Sequence, residues 1–183
     1  MRPKLFFILL LVCIAFTATA QEKKIKFHSI NSVGLLAGEH NSDLALETVN
    51  GIAYNNLYSG IGFGLDYYNY NSYPIFFDQR IFFNQKRCAF AYGDIGYNLP
   101  GQNKPGKEIY YYESFHFSGG VYTDFGIGYQ MKMTKQSSFV ITAGLSYKEL
   151  HDKIATMAPA DGTDYSTYNY GFGRIIIKAG IEF

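Results

Sequence analysis

The chain has no tryptophan, only five prolines and only two cysteines in 183 residues. One cysteine, Cys13, sits in an apolar leader, so an exported mature chain keeps Cys88 alone. A lone cysteine excludes an internal disulfide, and the fold must be held another way. Long hydrophobic runs are also missing. After the leader no window approaches the ~18–20 apolar residues of a membrane helix, and no stripe of period 3.6 persists. Charge is scarce and balanced: Asp, Glu, Lys and Arg make up 17% of the residues, with a formal net charge of +1. No basic stripe is left for nucleic acid.

The leader itself is legible. Arg2 and Lys4 precede an apolar core from Leu5 to Phe16, too short to span a bilayer, and Ala18-Thr19-Ala20 fits the small-residue cleavage rule. Val12 before Cys13 is larger than a lipoprotein site takes. This predicts an export signal over 1–20 and one mature domain over 21–183, with 14 basic and 15 acidic residues left.

What is abundant is aromatic: 17 Tyr and 16 Phe. The last stretch shows how they are used. Phe183, Ile181, Ala179, Ile177 and Ile175 alternate with Glu182, Gly180, Lys178, Ile176 and Arg174. One face is apolar and one carries both signs of charge, which is strand periodicity. A strand ending on a terminal Phe finds a second neighbour by closing onto the first strand of the mature chain. Seven further runs are predicted over Ser29–Glu39, Leu44–Tyr54, Leu57–Tyr68, Tyr73–Phe83, Cys88–Leu99, Phe115–Met133 and Ser138–Leu150, with the last from Tyr168. The second is the least regular, because Glu47 and Asn50 fall on opposite faces. From the third run on, odd positions are apolar and even ones small or charged. Short turns at Asn55-Asn56, Asn84–Arg87 and Thr134–Ser137 alternate with long connections at Pro100–Ser114 and His151–Thr167. The fold class predicted is all-β, an eight-stranded antiparallel up-and-down transmembrane β-barrel.

A secreted lipocalin-like barrel alternates too, with its apolar face inward. Three features favour the membrane form: charges of both signs, few enough to pair in a small lumen; no helical segment after the last strand; and tyrosines at strand ends, such as Tyr54, Tyr97 and Tyr147, placed as interface girdles.

The residues that carry a family resemblance are the signal ending at Ala20-Gln21, the stretches Tyr73–Arg80 and Ala91–Asn98, the segment Ser146–Leu150 and the terminal Phe183. On these the chain resembles the small eight-stranded outer-membrane barrels, such as the OmpA transmembrane domain and OmpX. It is more closely similar to the short exported barrel proteins of Bacteroidota. The resemblance implies the fold, the outer membrane of a Gram-negative bacterium and both termini in the periplasm. It also implies an insertion signal at Ile181 and Phe183, read by the barrel-insertion machinery. It brings no activity and no cofactor.

Three constellations are candidates for function. Parity places Asp66, Asp78, Arg80, Asp94, Asp124, Lys148, Arg174, Lys178 and Glu182 on the lumen face, where buried carboxylates and cations are expected to pair and plug the interior. A narrow pore for ions or small solutes would use the same groups. His116-Phe117-Ser118 resembles the His-x-Ser of outer-membrane lipid A deacylases, which implies Ser118 as nucleophile and His116 as base. Gly119 and Gln130 stand where those enzymes carry Asn and Glu, and parity points the pair at the lumen. Tyr110, Tyr111 and Tyr112 form a candidate contact surface in an outer loop or its strand extension. Asp161-Gly162-Thr163-Asp164 lacks the ligand count of a calcium site, and no metal is implied. The overall expectation is a monomeric structural or interaction barrel, not an enzyme, with lipid, lipopolysaccharide and other envelope proteins as partners.

Overall fold

A computed structural model describes residues 25–39, 41–83, 88–101, 112–158 and 162–183. The signal segment 1–20 lies outside this set. Eight strands follow in order: β1 (Lys26–Ala37), β2 (Ser42–Tyr54), β3 (Leu57–Asp66), β4 (Ser72–Phe82), β5 (Ala89–Pro100), β6 (Tyr112–Lys132), β7 (Ser138–Ala158) and β8 (Gly162–Glu182). Each is antiparallel to the next, and β8 closes on β1 from Ile30 opposite Glu182 to Ala37 opposite Ile175. The terminal Phe183 adds a reciprocal pair of backbone hydrogen bonds with Ser29, at 3.0 and 2.9 Å. No edge is left along the closed part of the sheet, which meets the condition for β structure in hydrocarbon.

The period-2 pattern decides which way each side chain faces. Ile61, Ile95 and Ile127 point outward and are 69%, 64% and 66% exposed. They belong to a continuous apolar outer face with Phe63, Phe77, Phe125, Leu145 and Ile177. Inside, Ile30, Val49, Tyr58, Phe76, Phe82, Phe90, Tyr92, Tyr122 and Val140 form one apolar plug, and Leu36, Ala45, Tyr68 and Ile176 form a second toward the long-connection end. Glycines make this filling possible. A Cβ on Gly62 would stand 2.2 Å from the Phe76 ring, and one on Gly128 would stand 2.2 Å from the Phe90 ring.

One connection differs from the sequence expectation. The connection expected over His151–Thr167 is mostly strand, since β7 continues to Ala158 and pairs with β8 down to Gly162. The sequence from Asp152 to Ser166 carries no apolar–polar alternation, the signal by which a strand is read. β6, β7 and β8 rise past their shorter neighbours as a three-stranded extension. In β2 the even positions face outward, and Glu47 and Asn50 fall on opposite faces as the sequence indicates: Glu47 is buried, whereas Asn50 is exposed and within 3.5 Å of Thr48 Oγ1. At the opposite end the turns are tight. Asn55 takes a left-handed φ of 52°, which asparagine tolerates, and Thr134 Oγ1 accepts from the Ser137 backbone N–H at 2.9 Å.

Gly62→Leu is expected to lower stability by about 1–3 kcal/mol, because the Phe76 ring has nowhere to go. Gly173→Ala, with open space at its Cβ, serves as the control. Urea unfolding in lipid vesicles would read both, and equal midpoints would contradict a tightly filled interior.

Candidate functional site

The nine charged residues assigned to one face by parity all lie buried inside the barrel, joined by Glu47 from β2. They fall into separate groups. Nearest the long connections, Asp66 receives Lys148 Nζ at 3.0 Å and the Arg174 guanidinium. Lys148 also donates to the carbonyls of Tyr68 and Tyr70, at 2.8 and 2.9 Å, and to Ser72 Oγ at 3.1 Å. Arg174 donates to Ser146 Oγ at 2.8 Å. The ammonium and the guanidinium thus bind one carboxylate and staple β3, β7 and β8 across the lumen.

The central group is built on Lys178. Its Nζ donates to Glu47 at 2.9 Å and Asp124 at 2.8 Å, and stands 3.7 Å from Asp94. Tyr92 and Tyr122 donate their hydroxyls to the remaining oxygens of Asp124 and Glu47, at 2.8 and 3.3 Å. Asp94 sits directly between Asp78 and Asp124 on the neighbouring strands, and neither of its oxygens has a hydrogen-bond partner. Toward the tight turns, Arg80 donates from Nε and a terminal nitrogen to Asp78 at 3.0 and 2.9 Å. The guanidinium lies 5.5 and 5.3 Å from the ring centroids of Tyr58 and Phe90. Glu182 is instead 2.6 Å from His28 Nδ1 on β1. His28 and Glu47 were not singled out by sequence reasoning. Glu47 was hidden by the polar outward residues Thr48 and Asn50, and His28 precedes any clear alternation.

The placement of Ser118 corrects the sequence reading. Between Gly119 and Tyr122 the register of β6 against β7 shifts: Gly119 faces Leu150 and Tyr122 faces Lys148. Two residues, Gly120 and Val121, therefore oppose the single residue Glu149, which is a β-bulge. Parity inverts across it. Ser118 pairs with His151, an outward position of β7, so it faces outside rather than the lumen, and Asp124 lies on the other side of the sheet. Ser118 Oγ is 3.4 Å from the His151 carbonyl oxygen. His151 Nδ1 is 2.8 Å from Asn169 Oδ1 on β8. His116 stands opposite Lys153 in the ladder, and its side chain lies outside the described set. Tyr110 and Tyr111 also lie outside it, and Tyr112 is described by its backbone alone, paired with Thr156. Ile181 and Phe183 are on the outer face, 40% and 60% exposed.

Lys178→Met is expected to cost about 3–5 kcal/mol, because it strands buried carboxylates that one ammonium holds together. In a Glu47→Gln/Asp124→Asn background the same change should cost much less. Equal costs in the two backgrounds, by urea unfolding, would show that the three groups are not coupled.

Neither a protein-family model nor a curated protein matches the sequence. Solved structures do match. The outer membrane protein AlkL, determined by solid-state NMR in DMPC lipid bilayers, is 10% identical, with 86% of this chain and 88% of that chain covered at a TM-score of 0.50. The outer membrane protein OprG from Pseudomonas aeruginosa is 9% identical, with 86% and 95% covered at a TM-score of 0.52. At such identities the likeness concerns architecture alone. The closed eight-stranded sheet and these two neighbours give the chain the fold of the small outer-membrane β-barrels.

Proposed function

We propose that the protein is a closed, monomeric barrel of the outer membrane of a Gram-negative bacterium that conducts nothing through its lumen and works by contact at its outer surfaces. The observation that carries this reading is the filled interior. Two apolar plugs are bridged by Lys178 and its carboxylates, and Tyr122, Phe90, Lys148 and Leu150 are among the largest fully buried side chains. Eight strands enclose a space that side chains fill without leaving a channel. The outer apolar face supports placement in a bilayer, since a soluble barrel turns that face inward.

In this reading the two termini and the tight turns are periplasmic, and the extension of β6, β7 and β8 rises from the outer surface. The support is the contrast between the two-residue turn Asn55–Asn56 and the longer span 101–111, since barrels of this kind keep short turns inside and longer segments outside. Ile181 and Phe183 would carry the signal for the barrel-insertion machinery. Membrane lipid, lipopolysaccharide and larger envelope proteins are the partners within reach of the outward surface.

Purified mature protein in planar bilayers is expected to give no discrete conductance steps at any applied voltage. Stepwise current that shifts with Asp94→Asn or Arg174→Gln would overturn the closed lumen and make the charged interior a solute path.

A further inference from the structure

A filled lumen leaves the outward face as the surface open to chemistry. On that face three side chains with complementary roles stand in one cross-strand row. Ser118 of β6 is directly opposite His151 of β7, and His151 is directly opposite Asn169 of β8. Residues opposed in this way share a face, with Cβ atoms about 4.5–5.5 Å apart. The alignment depends on the bulge at Gly120 and Val121. Without the extra residue, Ser118 would point into the barrel and His151 would have no hydroxyl beside it. Bulges that re-aim one side chain recur next to active sites.

We propose that Ser118, His151 and Asn169 form an acyl-ester hydrolase site, with the ester of a membrane lipid as its substrate. The hydrogen bond between His151 and Asn169 sets the chemistry. In the tautomer with its proton on Nδ1, His151 donates to the Asn169 Oδ1 at 2.8 Å and Nε2 keeps the lone pair that a general base needs. Asn169 acts through His151 and is a positioning residue. Ser118 holds only a long contact of 3.4 Å to a backbone carbonyl, so its hydroxyl is free to turn toward the imidazole as a substrate enters.

The surroundings fit a lipid ester. Tyr97 and Tyr147, outward aromatics 50% and 37% exposed, lie on the belt side of the row, as interface residues do. Gly173 stands opposite Tyr147 with open space where a Cβ would be, next to the apolar pair Leu145 and Ile175. Beyond this gap the Tyr147 hydroxyl covers Gly171 and donates to Glu149 Oε1 at 2.8 Å, so an acyl chain from the belt would reach Ser118 on the other side of Tyr147, over Phe125 and Val121 of β6.

The reaction balances without a cofactor. Ser118 Oγ attacks the ester carbonyl carbon while His151 Nε2 takes the hydroxyl proton. The bond to the alcohol oxygen breaks as Nε2 returns that proton to it, and Ser118 is left acylated. A water molecule then attacks the acyl carbon, giving a proton to Nε2. The fatty acid leaves, and the proton passes to Ser118 Oγ.

The lipid substrate rests on the membrane placement proposed above, while the site itself can be tested in detergent whether or not that placement holds. Mature protein is treated with an alkyl fluorophosphonate, whose fluoride a reactive serine displaces, and the adduct is located by peptide mass spectrometry. The expected result is one adduct, on Ser118, formed at least tenfold more slowly in His151→Ala and Asn169→Ala and at close to the original rate in Asn169→Asp. Circular dichroism checks that each variant keeps its β-structure. No adduct, an adduct elsewhere, or an unchanged rate in folded His151→Ala would overturn the site. Vesicles of phospholipid with and without lipopolysaccharide then identify the ester by which one releases fatty acid. Release from neither would overturn the lipid substrate.

Discussion

The pairing of β8 with β1 is the constraint on which the rest of the structure depends. In hydrocarbon an unpaired backbone N–H or C=O costs several kcal/mol, so the last strand must find the first. Closing eight strands fixes the width of the interior, and that width fixes what can stand inside it. Gly62 beside Phe76 and Gly128 beside Phe90 are the local consequence: a small residue on one strand wherever a ring arrives from another. The same closure brings Lys178 of β8 within reach of Glu47, Asp94 and Asp124, which come from three other strands. Buried charge in such a place is tolerable only with partners, and the hydroxyls of Tyr92 and Tyr122 satisfy the second oxygens of Asp124 and Glu47.

The interior is therefore a stack of apolar and ionic layers, and the ionic layers act as cross-braces. Lys148 ties β7 to the segment running from Asp66 to Ser72, and Arg174 ties β8 to both. A wall braced from within can afford to lose neighbours at one end. β6, β7 and β8 do so, continuing as a three-stranded extension after β5 and β1 have ended. The outward row of Ser118, His151 and Asn169 sits where this extension begins.

Most of the barrel was legible because one face of each strand meets a different medium from the other. Odd-numbered apolar residues in β3, β4, β5 and β8 announce the outer face, and the charges between them announce the lumen. Legibility failed where that contrast fades. Thr48 and Asn50 put polar groups on the outside of β2 and concealed Glu47. Beyond Leu150 the sequence loses its alternation, and the strands of the extension read as a loop. The bulge is the most consequential case. The pair Gly119-Gly120 is the kind of signal that marks one, but its effect is to turn Ser118 to the outside and set it against residues 33 and 51 positions along the chain. No local pattern links Ser118 to His151 and Asn169. Only the register of three strands does.

The most direct test of a closed, dry interior is magnetisation transfer by NMR from lipid methylenes and from water to assigned methyl groups, with the protein in lipid nanodiscs. Ile61, Ile95, Ile127 and Ile177 should receive magnetisation from lipid, whereas Val49, Val140 and Ile176 should receive it from neither lipid nor water. Strong water transfer to Val49 or Ile176 would contradict a plugged lumen, and lipid contact at those methyls would place the wrong face of the sheet in the membrane.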